Sequence, residues 1–82
     1  MLFRSIYELY YYMHSETQAV LFPKHYNLRD IQNYVKKHNL HPIKNIHETA
    51  RFKRLRLTDP KQYDHFTTEI LPNHIRLVLG WK

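Results

Sequence analysis

Between positions 36 and 56 the chain sets seven cations, Lys36, Lys37, Lys44, Arg51, Lys53, Arg54 and Arg56, against a single acid, Glu48. Arginine forks and lysine ammonium groups bind phosphate oxygens, and a local excess of this kind points to a polyanion held by its backbone rather than to a reacting substrate. Phe52 sits among the cations, where a ring either stacks on a base or packs into a core. The whole chain carries a formal net charge of +6 and has a pI near 9.7, a balance suited to nucleic acid or to an acidic protein surface. Neither the spacing of a helix-turn-helix or zinc finger nor the glycine-bearing aromatic signature of RNA-recognition sheets is present.

Other chemistries have less behind them. Seven histidines raise the question of a metal, but the chain has no cysteine. His38 and His41 straddle an expected helix end, so they do not share a face as paired metal ligands do. His47, His65 and His74 fall on or beside expected strands and could meet in a sheet, or lie separately on the surface. The carboxylates Glu48, Asp59, Asp64 and Glu69 show no motif spacing. Glu48 beside His47, with Lys53 nearby, is the least implausible seed of a nuclease. No nucleophile motif is visible, and a single glycine, Gly80, leaves no room for a glycine-rich phosphate loop. The expectation is a non-catalytic protein with no cofactor and no metal.

A chain of 82 residues is one domain with a modest core. Without disulfides, that core must come from aliphatic and aromatic side chains. Phe3, Ile6, Tyr10 and Met13 recur at helical spacing, so residues 2–15 are expected to be helical. The run Tyr10, Tyr11 and Tyr12 cannot face one side, which leaves a ring for solvent or for a partner chain, a homodimer among the possibilities. Glu8 interrupts this segment, which reads as mature protein rather than as a leader or membrane span.

Residues 17–22 form an apolar run suited to a strand buried on both faces. Asn27 as N-cap, Asp30 three residues on, and Tyr26 with Ile31 as a staple predict a helix over 28–38. Leu28, Ile31, Tyr34 and Val35 should turn inward, and Asn39 should take the left-handed position at its end. Residues 43–49 read as a short strand with Ile43 and Ile46 as its apolar residues. The next strand, 50–57, has broken parity: Phe52 lies on the even side, while Leu55 and Leu57 lie on the odd side. The expectation is a bulge near Lys53 and Arg54, with Arg54, Arg56 and either Arg51 or Lys53 facing out. Asp59 and Pro60 stop the strand. Residues 65–71 and 75–82 alternate as a hairpin, the latter with Ile75, Leu77, Leu79 and Trp81 on one side. The sum is an α+β domain with a mostly antiparallel sheet of four or five strands and two helices packed on it. It divides into an N-terminal helix over 1–16 and a core over 17–82.

From Gln18 to Lys82 the chain resembles a group of small, largely uncharacterised proteins of tailed phages and large DNA viruses. The resemblance rests on Phe22-Pro23-Lys24 at the end of the first strand, on Tyr34 to His38 in the helix, and on Arg51-Phe52-Lys53-Arg54 through Asp59-Pro60. It closes with Phe66 to Thr68 and Ile75 to Gly80. Position 67 is threonine where the group usually has arginine. The resemblance implies a viral or phage origin and a place in the host cytoplasm or the virion, and it implies no activity. Two functions are then in view. One is a nucleic-acid-binding module using Lys36, Lys37, Lys44, Arg51, Lys53, Arg54 and Arg56. The other is a viral assembly or host-protein-binding protein, with Tyr10, Tyr11 and Tyr12 as its interface. Neither involves a membrane.

Overall fold

The computed structural model describes residues 15–82. The helix expected over 2–15, and with it Tyr10, Tyr11 and Tyr12, lies outside the described residues, except that Ser15 opens a strand. The elements run β1 (Ser15–Pro23), α1 (Leu28–Lys37), β2 (His47–Glu48), β3 (Phe52–Arg56), a 3-10 turn (Pro60–Gln62), β4 (His65–Ile70) and β5 (Arg76–Trp81). The strands form one five-stranded sheet in the order β2-β3-β1-β5-β4. Every neighbouring pair is antiparallel. The α+β class with a small antiparallel sheet is therefore the architecture, with one helix rather than two among the described residues.

Strand β1 is central because its apolar run can be covered on both sides. Val20 and Phe22 point to the face carrying α1, where they join Ile31, Leu55 and Ile75 in a buried cluster. The register sets Val20 opposite both Leu55 and Leu77, so these three side chains share that face. Phe22 is fully buried and meets the ring of Tyr34 edge-on at 5.2 Å, a favourable aromatic geometry.

Helix α1 starts where its cap requires. The Asn27 side chain accepts from the Asp30 N–H at 2.8 Å, and the Asp30 carboxylate accepts from the Asn27 N–H at 3.1 Å, a complete capping box. It ends on Asn39, whose φ is 53°. The Leu40 N–H donates to the Val35 carbonyl at 3.0 Å and the Asn39 N–H to that of Lys36 at 3.3 Å, the paired bonds of a left-handed C-cap. Leu28 departs from the expectation: it is 59% exposed, and α1 meets the buried cluster through Ile31, with Tyr34 and Val35 packed against it.

Two strand expectations also change. The stretch 43–49 pairs only at His47 and Glu48, and Ile43 is 51% exposed. The bulge expected near Lys53 and Arg54 is not there: β3 pairs with β1 without interruption from Phe52 to Arg56. The irregularity lies in β1, where the register against β5 shifts between Thr17 and Ala19. The residue between them, Gln18, is fully buried. Its carbonyl accepts from the N–H groups of both Leu57 and Thr58, at 2.8 and 3.3 Å. The parity problem seen in the sequence is thus resolved without a bulge in β3. Phe52 lies on the side away from the helix, beside Arg54 and Arg56.

Candidate anion-binding face

The sheet divides the cations of the basic stretch between its two sides. Lys53 is opposite Phe22 in the register and so lies on the helix side, where its ammonium group donates to the Tyr26 carbonyl. It ties the segment entering α1 to β3. Lys36 and Lys37 are exposed in the last turn of α1. Lys44 is exposed in the following loop and lines a groove with Lys36. Arg51 is exposed in the turn between β2 and β3, which is closed by the Thr49 N–H donating to the Phe52 carbonyl at 2.8 Å.

Arg54 and Arg56 lie on the opposite side of the sheet, which is helix-free among the described residues. Leu21 faces Arg54 across β3 and Arg76 across β5, and Ala19 faces Arg56 and Val78 in the same way. Arg76, absent from the basic stretch, therefore joins Arg54 and Arg56 on one surface floored by Ala19 and Leu21. With strands about 4.8 Å apart, Arg54 and Arg76 rise from positions flanking Leu21, with the Arg54 head group directed toward Gln18 and that of Arg76 toward Phe52, so the cations are spread along β1 as an extended polyanion requires. The Arg76 guanidinium lies over the Phe52 ring, 5.1 Å from its centre, a cation–π contact that fixes its direction. Phe52 is half-buried and serves as the seat of this arginine.

Gln18 positions Arg54. Its side-chain amide donates to the Thr58 carbonyl at 2.8 Å, and its oxygen accepts from Arg54 Nη2 at 3.2 Å. Arg54 and Arg56 stand two residues apart on one face, each with a buried Nε that finds no hydrogen-bond partner. Burial, and next the charge of Arg56, push the Arg54 guanidinium below its ordinary pKa; it remains a cation at neutral pH. A partly desolvated Arg54 beside the like charge of Arg56 gains by meeting an anion. Within the described strands, the acid whose register places it on this face is Glu16, opposite Gly80. It is already engaged: its carboxylate accepts from the Tyr63 hydroxyl at 2.7 Å and pairs with Lys82 at 3.2 Å.

The histidines and the Glu48 carboxylate singled out in the sequence are dispersed among the described residues. His47 is opposite Arg54 and Glu48 opposite Lys53, so His47 and Glu48 point to opposite faces. Glu48 pairs with Lys24 at 3.5 Å. His47 and His65 sit on strands at opposite edges of the sheet, and His65 stacks on Trp81. Among the described residues no group of three or more His, Cys, Asp or Glu could hold a metal ion.

No family model, curated protein or solved structure matches this chain. The physical reading of the face therefore stands by itself. Gln18 and Arg76 are the functional candidates that the sequence reading missed. Arg76 was visible only as a polar position in an alternating strand. Its place on the same face as Arg54 needs the order β3-β1-β5, which no local pattern contains. Gln18 was signalled by an amide in an otherwise apolar run.

Proposed function

We propose that the protein is a non-catalytic nucleic-acid-binding module that holds the phosphate backbone on the helix-free face of its sheet, through Arg54, Arg56 and Arg76. The observation that supports this reading is the placement of these three residues on one face of the sheet, flanking Ala19 and Leu21. Lys36, Lys37, Lys44 and Arg51 act as outlying charges that raise the local concentration of the polyanion without fixing its path. Lys53 belongs to the fold and not to the interface. The reading keeps the viral or phage setting that the resemblance implies. Phosphate contacts carry no base information, so binding is expected to be weakly sequence-selective and steeply salt-dependent.

The test is a titration of random-sequence single- and double-stranded DNA and RNA at low and at high salt. Binding that weakens by orders of magnitude as salt rises agrees with the proposal. Failure to bind any of the four at low salt ends it. A protein-contact role has one observation in its favour among the described residues, the exposed apolar side chains of Phe66 and Ile70 on the edge strand β4.

A further inference from the structure

The two edges of the sheet are unlike. Strand β2 is two residues long, and so short an edge offers little to pair with. Strand β4 is six residues long, and all but Thr67 are exposed. It pairs with β5 on one side without a register shift and, among the described residues, is the outer strand on the other. His65–Ile70 has little of the usual protection: there is no proline, lysine, arginine or bulge, and Glu69 is its one acidic residue. Phe66 is 44% and Ile70 61% exposed. An edge of this length and composition is a template for another strand.

The edge is also self-complementary. Residues opposite one another in an antiparallel pair share a face, so two copies of β4 meet only in registers that keep parity. A two-fold axis at Thr68 sets Phe66 of each copy against Ile70 of the other, on the helix-free side where both are exposed. Aromatic against β-branched is a favourable cross-strand pair. The same register sets Glu69 against Thr67 and keeps the two carboxylates apart. An axis at Thr67 would leave Phe66 against Thr68 and Ile70 unmatched, and the Thr67 hydroxyl is already the acceptor of the Trp81 indole N–H at 2.9 Å. A chain of net charge +6 repels its own copy, and β4 is the long edge with neither Lys nor Arg, where that repulsion is least.

We infer that β4 is the contact between two copies of this chain, paired antiparallel about Thr68 into one continuous ten-stranded sheet. The interface is small beside the roughly 20–30 residues a side of standard interfaces, so the dimer is weak and concentration-dependent. Antiparallel continuation keeps the helix-free faces of both copies on one side. The pairing itself does not depend on the nucleic-acid reading.

The chain has no cysteine, so single cysteines report contacts cleanly. Thr68→Cys, next to the axis, is compared under mild oxidation with Thr67→Cys and with the exposed helical position Lys37→Cys. Sedimentation of the unmodified chain runs alongside. The expected result is a concentration-dependent dimer, with Thr68→Cys crosslinking at least about tenfold faster than Lys37→Cys, as effective concentration at a contact requires. Adding Ile70→Lys to Thr68→Cys should remove that advantage while circular dichroism stays native. The inference is overturned if Thr68→Cys crosslinks no faster than Lys37→Cys, if Thr67→Cys is the fastest, or if Ile70→Lys leaves both the dimer and the crosslink unchanged.

Discussion

At the scale of single residues, the most constrained position is Gly80. A Cβ there would lie 2.5 Å from Cγ of Tyr63, because the tyrosine ring rests directly on the glycine backbone. The ring fills the place of a missing side chain in the sheet, a known way of compensating a strand glycine. Gly80→Ala should therefore destabilise by about 1–3 kcal/mol, the cost of overpacking a tight site, measurable in a urea titration. The Tyr63 hydroxyl has a separate role, shared with Thr58 at 2.8 Å and with Glu16. Its hydrogen bond, and next that of Lys82, hold the Glu16 carboxyl below its ordinary value of 4.5. A lowered carboxylate pKa adds stability that is present above the unfolded value and is lost as pH falls through the folded one. In Tyr63→Phe the Glu16 titration should move up toward 4.5, and the stability lost as pH falls below that value should become smaller, because the gap between the folded and unfolded titrations narrows. Side-chain NMR titration of both proteins checks this.

At the scale of elements, legibility followed locality. The capping box of α1 and its left-handed end at Asn39 were readable because each signal lies within four residues of the bond it makes. Asn27→Ala should cost about 1 kcal/mol, read by thermal unfolding. The alternation of β5 was readable for the same reason. The bulge was misplaced because parity is a property of pairs of strands: the broken pattern of 50–57 was real, but Phe52 is accommodated by Arg76 from β5 and the irregular residue is Gln18 in β1. Leu28 is exposed although it lies on the apolar stripe, because a helical stripe does not show which of its turns meets the core. The bulge yields its own prediction. Gln18→Leu keeps the volume but deprives the Thr58 carbonyl of one donor and Arg54 of its acceptor. It should destabilise by about 1–3 kcal/mol, the cost of leaving buried polar groups unmatched, as measured by urea denaturation.

At the scale of the whole molecule, the basic stretch is contiguous in sequence but not in space. Lys53 fastens β3 to the segment before α1. Lys36 and Lys44 border the groove beside the helix, and Arg51 caps a turn. Arg54 and Arg56 turn to the other side and share it with Arg76. The charge excess was legible from composition, and its division was not, because it follows from the five-stranded order. The central claim is that this helix-free arginine face, and not the lysines near the helix, takes the phosphate backbone. The direct measurement is the slope of log affinity against log salt for single-stranded DNA. It compares the unmodified chain with Arg54→Ala/Arg56→Ala/Arg76→Ala and with the charge-matched Lys36→Ala/Lys37→Ala/Lys44→Ala, each shown to be folded by circular dichroism. The arginine variant should lose roughly 2 units of slope, at about 0.7 per phosphate contact removed on a single strand, and the lysine variant should keep a slope near that of the unmodified chain. Equal losses in the two variants, or a greater loss in the lysine variant, would contradict the assignment.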